Sequence, residues 1–554
     1  MRRSGRSGKA LFGWSRALLL GAAAACATAL APAPAATASP VAFTTEGPVA
    51  GQVVSGMREF LGIRYAAAPT GDFRWKPPRR PGFHIQTFQA TQFGNHCPQP
   101  ASPFGLASAT EDCLFLNVYA PDKIDILRPV MFWIHGGALV VGESDDYDPS
   151  RLVAQGVIVV TINYRLGALG FLAHPALTAE SPGQNTSGDY GIEDQQFALD
   201  WVHRNIIFFG GNPENITVFG ESAGGLSTFS NLVSPLTKGK FQRAIVESGA
   251  YRLTLPSLAT AEAQGVTYAT AEGCPGTNAA TAACLRALTV AQVLAKENAA
   301  GYVPNTDGVV LPNSIATALK NGQFNRVPVM NGSNHDEWRL FVALNNVIPI
   351  ILGGGGPAQI AAAINPTTFP NLIAGTLGIP VALTAPIVAL YPPGATTLST
   401  ELALGALGTD AIFACPAHFA DELTSQFVPT FAYEFNDENA PQNFLPFVGF
   451  PYGAAHASEI QYLFGVRNGA GVPVVPLNAD QQKLSAQMVK YWTEFAEGGN
   501  PNEAGSPNWP KFVTANDDMQ SLTPPTPSTE FNFTTVHNCA FWDAAATAAG
   551  RPTP

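Results

Sequence analysis

Charged side chains are scarce in this sequence. Asp, Glu, Lys and Arg together make up 13% of 554 residues, and the formal net charge is −11. No basic cluster follows the N-terminal leader, so the electrostatic basis for gripping a phosphate backbone is missing and nucleic acid is excluded as a partner. No pair of cysteines stands at Cys-x-x-Cys spacing, so no metal site is expected. There is no internal repeat, and the 53 glycines and 46 prolines are spread along the chain instead of collecting in a spacer, which argues against several linked domains.

What is present begins with a leader. Arg2, Arg3, Arg6 and Lys9 precede an apolar run from Ala17 to Leu30, and small residues ending at Ala36-Thr37-Ala38 follow. That layout is the one of a secretory signal peptide cut after Ala38, and the apolar run is short for a membrane span. Removal leaves residues 39–554 as one large domain, with no integral membrane segment expected and secretion as the expected destination. Six cysteines remain, Cys97, Cys113, Cys274, Cys284, Cys415 and Cys539; an even number in an exported chain favours disulfides, although the sequence by itself leaves the pairing open.

Short strands separated by Gly and Pro turns are expected from Val41 to Val53 and from Phe60 to Tyr65. Pro129–Ile134 and residues 157–163 are continuous apolar runs of strand length, as in strands covered on both faces. Tyr190–Asn205 reads as an amphipathic helix, Ile216–Phe219 and Ala244–Val246 as further buried strands, and Val327–Met330 as the next. Alternating buried strands and helices imply parallel pairing and an α/β sheet sandwiched between helices. Ligands of such sheets bind beyond the carboxyl ends of the strands. The apolar stretch 341–395, broken by Gly353 to Gly356, is expected to form cap helices.

The chemistry gathers around Gly220-Glu221-Ser222-Ala223-Gly224, where a serine follows a β-branched run and precedes a helix start. A serine on so tight a turn stands exposed above the sheet, and the amides of the following helix point at any oxygen bound there. Gly136-Gly137 ends another strand and leaves its amides open to the same crevice. A serine hydroxyl needs an imidazole to take its proton and a carboxylate to orient that imidazole. In a fold of this kind the order is Ser, acid, His. Of the histidines after Ser222, His335 precedes the best acids, while His418 and His537 read as structural or surface residues near cysteines. His456, on the small-residue loop Tyr452–Ala457, remains as the base. Asp336 and Glu337 both lie just past a strand end, and spacing does not separate them.

These residues resemble the type-B carboxylesterase family of α/β-hydrolases. Glu111-Asp112-Cys113-Leu114-Phe115-Leu116-Asn117-Val118, Asn205-Ile206 through Phe209-Gly210-Gly211-Asn212-Pro213, Phe219 to Gly225, and Cys539-Ala540-Phe541-Trp542 are similar to its signatures, in its order. The resemblance implies Ser222 as nucleophile, Glu337 as the acid and His456 as the base, with Gly136, Gly137 and Ala223 donating to the oxyanion. It implies supporting carboxylates at Glu221 and Glu459, and disulfides Cys97–Cys113, Cys274–Cys284 and Cys415–Cys539.

The implied activity is that of a secreted serine ester hydrolase on small-molecule esters, needing no metal or organic cofactor. The loop between Cys97 and Cys113 holds no tryptophan, so choline esters have lost their best cation-stacking candidate. The apolar 341–395 stretch and Phe444–Phe450 point to neutral, fairly hydrophobic esters. Two alternatives are an interfacial lipase with 341–395 as its lid and a silent adhesion protein of the same fold; the filled Ser, Glu and His positions speak against the second.

Overall fold

A computed structural model describes residues 39–181, 183–297, 302–466 and 474–550. The expected leader, residues 1–38, lies outside the described residues. An eleven-stranded sheet organises the rest, in the spatial order Ser528–Glu530, Met519–Leu522, Thr430–Phe435, Val329–Asn334, Arg243–Glu247, Gly211–Glu221, Arg128–Ile134, Ile158–Ile162, Phe115–Pro121, Met57–Arg64 and Gln52–Val54. Neighbours from Met519–Leu522 through Ile158–Ile162 run parallel. The flanking pairs are antiparallel.

Why the central strands are apolar throughout follows from this position. Val130, Phe132 and Ile134 enter one hydrophobic cluster while Met131 and Trp133 enter another on the opposite face. Successive side chains of a strand point to opposite faces, so a strand covered twice needs an unbroken apolar run. Each such side chain, fully buried, contributes roughly 1.5–3 kcal/mol. Tyr190–Asn205 is a helix with the expected bounds, and Ala223–Val233 follows the Ser222 turn as expected.

One strand is longer than its sequence suggests. Val329–Asn334 replaces the expected Val327–Met330, taking in Asn331, Gly332, Ser333 and Asn334, which read as a loop. Each of these polar residues pairs in register with Ala432 to Phe435, and the ladder overrides their poor strand preference.

A third cluster, including Leu340, Phe369, Leu404 and Trp542, is built from the expected cap region and the chain's end. Helices Trp338–Val342, Ile348–Leu352, Pro357–Ala363, Phe369–Leu377 and Ala385–Leu390 supply much of it. Among the described residues one helical run, Thr397–Ser425, is long and apolar enough to cross a membrane, and 67% of its most apolar window is buried inside the fold. It is a packed helix of this cluster. The three expected disulfides are formed, with Cα–Cα distances of 4.9 Å for Cys97–Cys113, 5.6 Å for Cys274–Cys284 and 5.2 Å for Cys415–Cys539.

Candidate active site

Ser222 caps the helix Ala223–Val233 with φ 57° and ψ −120°, a strained backbone conformation for a residue with a side chain. Packing holds it there. A Cβ on Gly224 would stand 1.9 Å from the Ile134 carbonyl oxygen, and one on Gly220 would stand 2.5 Å from it, so only glycine lets helix and strand approach this closely. The Ser222 amide donates to the Glu247 carbonyl at 2.9 Å, tying the turn to the next strand. From Glu221 to Val233 every residue is buried except Ser222.

Glu337 and His456 come together from loops after neighbouring strands. His456 Nδ1 donates to Glu337 Oε2 at 2.5 Å. Glu337 Oε1 accepts the Ser248 hydroxyl at 2.5 Å and the Asn334 amide at 2.8 Å, so both oxygens of the buried carboxylate are fixed. Asp336 is occupied elsewhere: Oδ2 accepts the Ala454 amide at 3.0 Å, and Oδ1 pairs with Arg339 at 2.8 Å. The geometry therefore separates two acids that the sequence left level.

His456 Nε2 has no hydrogen-bond partner and lies 3.2 Å from Glu221 Oε1, on the residue next to Ser222. A bond from the Ser222 hydroxyl to Nε2 is thus not formed in this resting arrangement. Phe341 and Phe413 flank the imidazole, with ring centroids 5.1 and 4.9 Å from it. Burial would lower the His456 pKa, but the charges of Glu221, Glu337 and Glu459 and the Glu337 hydrogen bond outweigh it and hold it at about 9. Burial pushes the Glu221 carboxyl well up, and His456 pulls it partly back. Glu459, raised to about 7 by burial and by Glu337, accepts from Asn334 Nδ2 at 2.5 Å. Glu221 and Glu459 are both buried, and the charge of each acts on the imidazole.

The loop that carries the expected oxyanion donors is buried at Gly136 and opens beyond it. What Gly136 supplies is clearance: a Cβ there would stand 2.9 Å from Glu221 Oε2 and 3.2 Å from Ser222 Cβ. The next residues are less buried, Gly137 with φ 99° and Ala138, exposed, with φ 56°. The amides of Gly136, Gly137, Ala138 and Ala223 donate to no backbone acceptor among the described residues. Ala138 was not singled out in the sequence because nothing in an alanine's identity announces a positive φ. His135 anchors this loop as a neutral ring, its pKa lowered to about 4 by burial and its Nδ1 2.8 Å from the Gly136 carbonyl.

Comparison with known proteins agrees with the geometry. Residues 38–542 match the model of the carboxylesterase family. The chain is 33% identical over 488 residues to the para-nitrobenzyl esterase of Bacillus subtilis, covering 85% of this chain and 92% of that one. It is 31% identical over 545 residues to the cocaine esterase of Homo sapiens, covering 92% of each. It is 33% identical over 512 residues to pyrethroid hydrolase Ces2e of Rattus norvegicus, covering 86% of this chain and 84% of the relative.

Proposed function

Because the chain belongs to the carboxylesterase family, and is therefore a carboxylic ester hydrolase of α/β-hydrolase fold, we propose that it works through an acyl-enzyme on Ser222. His456 takes the Ser222 proton as the hydroxyl attacks the ester carbonyl, and Glu337 holds the imidazole and stabilises its charged form. The amides of Gly137, Ala138 and Ala223 receive the oxyanion, each worth about 10²-fold or more in turnover. His456 then protonates the leaving alcohol and activates water for deacylation. The observation that carries this reading is the 2.5 Å contact of His456 Nδ1 with Glu337 Oε2 beside the strained Ser222 turn.

The substrates are neutral, fairly hydrophobic esters, read from Phe341 and Phe413 against the imidazole and from the apolar cluster of Leu340, Phe369 and Leu404. Relatives named a para-nitrobenzyl esterase, a cocaine esterase and a pyrethroid hydrolase support that substrate class. The enzyme is exported, with residues 1–38 as its signal. A rate profile over nitrophenyl esters from acetyl to palmitoyl, below and above their solubility limits, tests the reading. Smooth saturation on soluble esters is expected; activity appearing only above the limit would make the protein an interfacial lipase.

A further inference from the structure

Outside the site just described, three residues distant in sequence bring metal-ligating atoms together. One ring nitrogen each of His335 and His537 and one carboxylate oxygen of Glu434 all lie within 4.8 Å of one another. His335 extends the strand Val329–Asn334, with its amide bonded to the Phe435 carbonyl at 3.1 Å. Glu434 stands on the neighbouring strand Thr430–Phe435, and Glu530 on the edge strand Ser528–Glu530. His537 comes from the closing segment, two residues before Cys539. The sheet's register therefore sets two of these groups, and the Cys415–Cys539 bridge holds the third nearby.

His537 is oriented as a ligating histidine is. Its Nδ1 is 2.6 Å from Asp410 Oδ1, and Asp410 Oδ2 accepts the Tyr391 hydroxyl at 2.5 Å. That hydroxyl accepts in turn from Trp542 Nε1 at 2.7 Å. A carboxylate fixed in this way keeps Nδ1 protonated and turns Nε2 toward Glu434, the outer arrangement that accompanies metal-bound histidines once Nε2 gives up its own proton. Nε2 lies 2.5 Å from Glu434 Oε1.

His537 and Asn436 supply the donors here, and three carboxylates, Asp410, Glu434 and Glu530, share them. Glu530 lies against Glu434, and the side-chain amide of Asn436 serves both, at 2.9 Å to Glu434 Oε2 and 3.4 Å to Glu530 Oε2. Glu530 Oε1 is buried and has no hydrogen-bond partner. Arg339 is committed to Asp336. Two carboxylates in contact and an oxygen without a donor are what a bound cation would relieve.

We propose that His335, Glu434 and His537, completed by Glu530, bind a divalent transition metal of the Zn2+ kind. Two imidazoles with carboxylates suit Zn2+ and its neighbours, whereas Ca2+ and Mg2+ prefer all-oxygen sets. Tetrahedral ligands at about 2.0 Å from zinc sit about 3.3 Å apart, so on binding the bridging proton leaves and Nε2 and Oε1 separate by less than an ångström. The His335 side chain is 31% exposed and offers the way in. The bound ion fastens the closing segment to the loop that carries Glu337. The expectation of no metal site rested on cysteine spacing and could not see ligands that meet only through the sheet.

The test uses the full mature chain without a histidine tag, stripped with chelator, loaded with ZnCl2 and passed through gel filtration before its zinc is measured. One equivalent retained by the wild type, with a melting temperature raised by zinc, and loss of both in His335→Gln and His537→Gln, is the expected result. His96→Gln, which alters a separate His–carboxylate group with Glu143 and Asp145, is expected to keep its zinc. Should His537→Gln not fold, the partly exposed His335 still decides the matter. No zinc retained by the wild type, or equal zinc retained by His335→Gln, overturns the proposal.

Discussion

His456 Nδ1 and Glu337 Oε2 stand 2.5 Å apart although the residues are 119 positions apart in the chain. Their meeting depends on the parallel pairing of Val329–Asn334 with Thr430–Phe435, since each residue lies in a loop beyond one of these strands. Glu337→Gln keeps the shape but removes the charge that stabilises the imidazolium. Turnover on a soluble nitrophenyl ester is expected to fall by about 10³- to 10⁴-fold, with a melting temperature close to wild type. Asp336→Asn leaves this contact intact, and turnover is expected to fall far less.

The base must be neutral to accept a proton, and the carboxylates around His456 raise its pKa to about 9. Protonation silences it, so activity is lost as pH falls through this raised value, and the acid limb of kcat/KM lies well above the ordinary imidazole range. Glu221→Gln removes the leading charge that raises it. The limb is then expected to move to lower pH, which a kcat/KM profile against pH reads directly.

Gly224→Ala places a methyl where the Ile134 carbonyl oxygen already stands, 1.9 Å from the new Cβ. No flexible side chain is there to yield, so the helix must shift from the strand. A loss of about 1–3 kcal/mol or more is expected, measured by denaturant unfolding, together with loss of activity through the displaced Ser222.

Much of this site is legible in the sequence because its signals are local. The run Ile216–Phe219, the glycines around Ser222 and the following helix start are contiguous, and Tyr190–Asn205 carries its own periodicity. What could not be read depends on partners far along the chain. Asn331–Asn334 become strand only through Ala432–Phe435. Asp336 and Glu337 are told apart only by the Ala454 amide on one and His456 on the other. His537 is buried against Asp410, 127 positions away, and nothing near it in sequence announces that contact.

The Cys415–Cys539 bridge spans 124 positions and joins the closing segment to the buried helical run Thr397–Ser425. Replacing both cysteines with alanine is expected to cost roughly 2–5 kcal/mol. Thermal unfolding of that variant beside the wild type, both without reductant, checks it.

Ser222 as the attacking group is tested most directly by mapping the residue modified by a fluorophosphonate probe, using intact mass and peptide analysis of the active enzyme. One adduct per chain on Ser222, abolished in Ser222→Ala together with ester hydrolysis, is the predicted result. An adduct on another residue, or full hydrolysis by Ser222→Ala, would contradict it.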